Sequence, residues 1–299
     1  MYLFKAAVAN CLMMGEEIST YGERSYRDKV IFNCNSFKLT FIQKPEIIEN
    51  RIDFRDTCTV TTEVSVEFED LQDVEKLGRT LDDICWLLSF ACLSKIGCPS
   101  YEISNGHKTS TGIVGKANFF RPSLDIMQGK NIREFVDQVF DNYKFSVTTR
   151  KLNVVIDYLV ESDKQAQPTE VKLILLFVTL ENLKHTYAEE LNIPFKKGFF
   201  RKNARVSKKS KRMVEDAYKF EELLEMMFKS VGMNPILDTI IDLRNEIVHS
   251  GLSVKTHGQQ FEMYCEIHDI IREYFFRLLG FKGVFPTYSS RGTQYKTLK

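Results

Sequence analysis

Hydrophobic and polar residues alternate with a period of two along "KVIFNCNSFKLTFIQ" (29–43) and "CTVTTEVSVEFED" (58–70). That spacing predicts half-buried strands. The period changes in "LQDVEKLGRTLDDICWLLSFACLSKI" (71–96), where Leu71, Val74, Leu77, Leu81, Ile84, Leu88 and Cys92 recur at three- and four-residue steps. This is the pattern of one helix face. After Gly97 and Pro99, "SYEIS" and "TGIVGKANFFRP" return to strand-like character. From about residue 129 the pattern is wholly helical, with helices expected over 131–147, 149–162, 169–191, 207–230, 234–249 and 258–280. Pro168 suits a helix start, and Asn234 with Pro235 reads as an N-cap followed by a first helical position. The expected fold is α+β: a β-rich mixed module over 1–128, a sensor or scaffold, then an all-α bundle over 129–299.

Composition narrows the class without naming a partner. With 43% apolar and 27% charged residues the chain is an ordinary globular sequence, and a net charge of +1 leaves any basic patch to be local. Seven cysteines without paired CxxC spacing argue for a reducing, cytoplasmic setting with no disulfide framework and no metal site. The apolar run after Lys5 is too short for a membrane span and lacks a cleavage signature, so neither a membrane partner nor a leader is expected. No GxGxxG or GxxxxGK[ST] loop occurs, so no nucleotide cofactor is expected.

The candidate chemistry begins with a charge in the wrong place. On a wheel of about 100° per residue, Arg244 falls at the centre of an apolar arc made by Ile236, Leu237, Ile240, Ile241, Leu243, Ile247 and Val248. Asp238, Asp242, Asn245 and His249 form a polar stripe beside it. An arginine so placed stays ionised and needs an anion, either a carboxylate or a bound phosphate. The preceding helix, "TEVKLILLFVTLENLKHTYAEEL", is apolar nearly all round and reads as the centre of the bundle. Glu181 is as misplaced there as Arg244 is on its own helix, so the two are expected to pair, with Glu181 holding the guanidinium toward a substrate. His185, a turn beyond Glu181, is expected as a buried neighbour. His249 closes its helix, where the dipole favours the protonated imidazole.

A basic run lies between these helices. "KKGFFRKNARVSKKSKR" (196–212) carries Lys196, Lys197, Arg201, Lys202, Arg205, Lys208, Lys209, Lys211 and Arg212 with no acid, and Phe199 and Phe200 sit inside it. Cations that neutralise phosphates beside rings that stack on bases would suit RNA; the alternative is a solvated loop with the rings tucked inward.

"RNEIVH" (244–249) resembles the R-x4-6-H motif of HEPN domains, in the form with Asn directly after Arg. The order around it is similar to the ApeA-like subset: "LLFVTLENLKHTYAEE", a basic linker, an amphipathic segment over 213–230, "ILDTIIDLRNEIVHSG" and "FEMYCEIHDIIREYFFRLLG", covering about 145–282. Gly251 stands where some HEPN toxins carry a tyrosine, a departure that points away from the subset modified by a nucleotidyltransferase. The resemblance implies a metal-independent endoribonuclease of antiphage defence or stress response, working as a homodimer with a composite cleft. It implies Arg244 on the scissile phosphate, His249 in proton transfer, Asn245 orienting His249 or touching the phosphate, and a 2′,3′-cyclic phosphate product. The alternative is a non-catalytic HEPN module that binds RNA or nucleotide and mediates dimerisation.

Overall fold

The computed structural model describes residues 1–54, 56–110, 115, 117–118, 120–206, 213–250, 253–289 and 292–299, without the side chains of 205, 206, 214, 249 and 250. The opening segment "YLFKAAVA" forms β1 (Tyr2–Ala9), an interior strand whose Phe4, Ala6 and Val8 point into the core. After it come β2 (Glu17–Tyr21), β3 (Arg24–Cys34), β4 (Phe37–Gln43), the short helix α1 (Pro45–Glu49), β5 (Val60–Phe68), the long helix α2 (Val74–Cys92), β6 (Gly97–Ile103) and β7 (Lys108–Ser110). The strands make one antiparallel sheet in the order β2-β3-β4-β5-β1-β6-β7. Its register sets Phe32 opposite Leu39, Phe41 opposite Val64, and Phe4 opposite both Val66 and Ile103. Every second residue therefore faces the core. The run read as 29–43 is two strands. Asn35 and Ser36 between them both take positive φ, 51° and 72°, the two-residue turn that suits strand twist.

The second part holds α3 (Gly129–Ser146), α4 (Leu152–Ser162), α5 (Thr169–Glu190), β8 (Phe195–Lys196), β9 (Phe199–Phe200), β10 (Arg205–Val206), β11 (Met213–Val214), α6 (Phe220–Ser230), α7 (Asp238–Ser250), α8 (His257–Leu278), β12 (Val284–Thr287) and β13 (Gln294–Thr297). The fold is α+β with a β-rich N-terminal part. The expectation of a wholly helical second part needs correction at three two-stranded ribbons: β8–β9, β10–β11 and β12–β13. At the first, Lys197 and Gly198 take φ of 53° and 79°, which a helix does not accommodate. Consequently α6 starts at Phe220, not at 207 or 213. Likewise α7 starts at Asp238, with the Leu237 carbonyl accepting the first helical bond from Ile241 N–H at 2.9 Å. Asn234 and Pro235 precede the helix as irregular chain. At α8 the Thr256 hydroxyl and the Gln259 side chain cap each other's backbone N–H, a reciprocal box that sets the start.

α2 joins the two parts. One face covers the sheet, and Phe90 stacks on Phe275 of α8 at 4.1 Å and meets Phe276 edge-on at 5.0 Å. Phe135 of α3 completes the aromatic group against Phe276. One continuous apolar cluster runs from Phe4 of β1 to Phe285 of β12. Cys85 and Cys92 of α2 lie within it as small apolar side chains. Polar ties reinforce the junction: Arg121 Nη2 meets Asp163 Oδ1 at 3.0 Å, and Tyr264 Oη donates to the same oxygen at 2.9 Å. Among the described residues, no helix is long and apolar enough to cross a membrane.

Candidate active site

Leu237, just before α7, and Ile240, Leu243 and Ile247 within it face the core, a stripe at three- and four-residue steps. Arg244 sits at the edge of that stripe, not at its centre as the wheel suggests, and keeps 23% of its side-chain surface exposed. The difference arises because a wheel counts apolar residues without knowing which have neighbours. Val248 and Ile236 are exposed, so the covered face is narrower than the apolar arc. Asp238 and Asp242 are exposed on the outer side.

α5 packs against α7 and supplies the anion. Arg244 Nη2 donates to Glu181 Oε1 at 2.9 Å, and Nη1 donates to Asn245 Oδ1 at 3.0 Å. Glu181 also accepts from Lys184 on its second oxygen, Nζ to Oε2 at 2.6 Å. Beneath both cations lies Phe220, the first residue of α6. Its ring centroid is 5.0 Å from Arg244 Cζ and 4.9 Å from Lys184 Nζ. Such a ring offers its negative face to a cation. Arg244 Nε is buried and has no hydrogen-bond partner among the described residues. The α6 start is held by the Lys219 N–H, which donates to Glu222 Oε2 at 2.8 Å. The Lys202 ammonium and that amide together hold the Glu222 carboxyl below the usual carboxylate range.

The expected residues fall into three groups. Arg244, Asn245 and Glu181 are brought together. The His249 backbone continues α7 one turn beyond Asn245, and its side chain lies outside the described residues. The basic run divides. Phe200 is corrected from a surface position to a core one: it is 4% exposed and packs with Ala188 and Leu223. The short ribbon turns alternate side chains to opposite sides, so Phe199 takes the outside at 56% exposure, with Arg201 Cζ 5.6 Å from its ring. Lys197 shares the β8–β9 turn. Lys196 pairs with Glu215 at 3.0 Å and Lys202 with Glu222, so the run is partly neutralised by acids that follow it. The Arg205 side chain and Lys208, Lys209, Lys211 and Arg212 lie outside the described residues.

His185 also differs from expectation. It is half-exposed, meets Glu189 Oε1 at 3.2 Å, and packs its ring on Phe195 and Phe200, so it braces the β8–β9 ribbon. His268 of α8 is fully buried, and burial beside Arg272 and Arg121 holds its imidazole neutral, well below its ordinary titration range.

Two members of the cluster escape a reading of sequence alone. Lys184 carries a visible signal, the three-residue step from Glu181 that places both on one helix face. Phe220 carries none, because its place beneath the cations depends on how α6 packs. A groove of about 790 Å³ lies elsewhere, on the open face of the sheet beside Lys5, Ser65 and Ser100. The Arg244 cluster lies apart from it as a partly exposed group of charges. No family model matches the chain, and no curated protein or solved structure matches it.

Proposed function

We propose that the chain is a metal-independent endoribonuclease of HEPN type, acting in antiphage defence or stress response as a cytoplasmic homodimer. The observation that carries this reading is the Arg244 guanidinium, anchored by Glu181 and Asn245 over Phe220 with Nε left unpartnered. In this reading Arg244 binds the scissile phosphate and stabilises the charge that builds on its oxygens. His249 moves the proton: the ribose 2′-oxygen attacks phosphorus as it loses its proton, and the bond from phosphorus to the 5′-oxygen breaks. The departing 5′-oxygen gains a proton, leaving a 2′,3′-cyclic phosphate and a 5′-hydroxyl. Asn245, held by Arg244 Nη1, keeps the arginine's plane in register with the substrate. Phe199, exposed with Arg201 beside its ring, offers a stacking platform on the β8–β9 ribbon.

The dimer draws support from α5. Val171, Ile174 and Val178 are exposed apolar residues at helical steps that lead directly to Glu181, and Val248 is exposed on the neighbouring α7. A second copy seated there would bring two Arg244 clusters to one cleft, as a twofold interface requires.

The test is cleavage of mixed RNA in EDTA by the wild-type chain, Arg244→Ala and His249→Ala, with product ends read by mass spectrometry. Wild type is expected to leave 2′,3′-cyclic ends, and each variant to lose about 10²–10³-fold or more in rate. Equal cutting by all three chains, or none by the wild type, would return the site to a non-catalytic RNA-binding role.

A further inference from the structure

At the α5–α7 junction one carboxylate serves two cations. Glu181 gives Oε1 to Arg244 at 2.9 Å and Oε2 to Lys184 at 2.6 Å. Arg244 therefore makes one bond to the carboxylate, where its fork could accept a bidentate partner, and its Nη1 goes to Asn245. Lys184 keeps only 13% of its side-chain surface exposed. An exposed ion pair at this spacing would need no comment, since such pairs contribute little. Here the two cations share one carboxylate, so neither has a counter-ion of its own. Counting Arg244, Lys184 and Glu181, the group carries a net charge of +1.

Phe220 closes one side. Its ring lies about equally far from the two charges, at 5.0 and 4.9 Å, so an incoming anion meets both from the opposite side. A phosphodiester carries one negative charge and two free oxygens. It matches the charge left over by the cluster, and it can take one oxygen to each cation.

We infer that Lys184 is a second phosphate-binding residue of this site, and that Glu181 occupies the space between the two cations as an internal counter-ion when no nucleic acid is bound. The substrate class is a single-stranded phosphodiester chain whose backbone crosses the α5–α7 junction. The inference rests on the reading of Arg244 as a phosphate ligand. It adds a residue of α5 that lies outside the R-x4-6-H motif.

The experiment measures binding of a single-stranded oligoribonucleotide, 2′-O-methylated throughout so that it cannot be cut, as a function of salt. The full chain is compared with Lys184→Met and Lys184→Arg, and thermal melting reports on folding. Neutralising one phosphate on a single strand contributes about 0.7 to the slope of log K against log salt. Lys184→Met is expected to lower the slope by about that amount, and Lys184→Arg to keep it. With cleavable RNA, Lys184→Met is expected to lose roughly tenfold to a hundredfold in kcat/KM, the worth of one hydrogen bond to a charged group. A wild-type slope in Lys184→Met overturns the inference, even where Arg244→Ala abolishes cutting and the nuclease reading stands. A lowered slope in a chain that cuts no RNA upholds the phosphate site and removes the nuclease. If Lys184→Met melts early, Lys184→Gln replaces it with the same expected slope, and a slope lost in Lys184→Arg also counts against the inference.

Discussion

Arg244 and Glu181 attract attention because each is a charge among apolar neighbours, and their pairing at 2.9 Å gives that oddity a physical basis. What the carboxylate does to the arginine can be separated by experiment. Glu181→Gln leaves two cations with a neutral partner, raising the site's charge by one. Binding of an uncut strand is then expected to become steeper in salt by about 0.7 in slope. Cleavage is expected to show a lower KM and a kcat reduced roughly tenfold, since the guanidinium loses its anchor while its attraction for phosphate grows. An unchanged kcat would assign Glu181 to charge balance alone. Sequence reasoning reaches Arg244, Asn245 and Glu181 through type and spacing. It stops short of Phe220, because the cation–ring contact is made only when α6 is laid across α5.

At the scale of elements, periodicity locates the helices well and their starts less well. α3, α4, α5 and α8 begin within a few residues of the expected positions, whereas α6 and α7 begin later. Helix starts are decided by caps and by what the preceding chain does, as at the Lys197–Gly198 turn and the Leu237 carbonyl. α2 illustrates a second limit. Its apolar face is legible, but its role as the joint between sheet and bundle depends on Phe90 meeting Phe275 and Phe276. The same helix carries Asp83, whose carboxyl is raised from the usual carboxylate range to about 6 by burial and by the neighbouring Asp82, with Lys144 opposing. Its folded pKa thus lies above its unfolded one near about 3.9. The folded state binds that proton more tightly, so its contribution to stability is present below about 4 and is lost as pH rises toward 6. Asp83→Asn is therefore expected to melt at a higher temperature than wild type at pH 7. It is also expected to remove this group's share of the pH dependence between 4 and 6. A variant whose melting tracks wild type across that window would place Asp83 in a solvated setting.

For the whole molecule, the proposed composite cleft requires a second copy, and the exposed α5 stripe states where. Ile174→Asp puts a charge in the middle of Val171, Ile174 and Val178 without touching the core, since Ile174 is exposed in the single chain. Sedimentation is expected to show a wild-type dimer and a monomeric variant. The variant should keep its melting temperature as a chain and lose most RNA cleavage. An active wild-type monomer would contradict the composite cleft, leaving the stripe as surface.

Sequence by itself determined the main strands and helices and their order, the ribbons of the second part apart: period-two runs became strands of the sheet, and three- and four-residue spacing became the long helices. It also marked Arg244 and Glu181 as charges in need of partners. Tertiary structure decided what covers each face. It placed "YLFKAAVA" inside the sheet, turned Phe200 inward and Phe199 outward, moved Arg244 to the edge of its apolar stripe, and set Lys184 and Phe220 beside it. The physical reason is that periodicity is a property of one segment, whereas burial and ion pairing are properties of the segments that meet it.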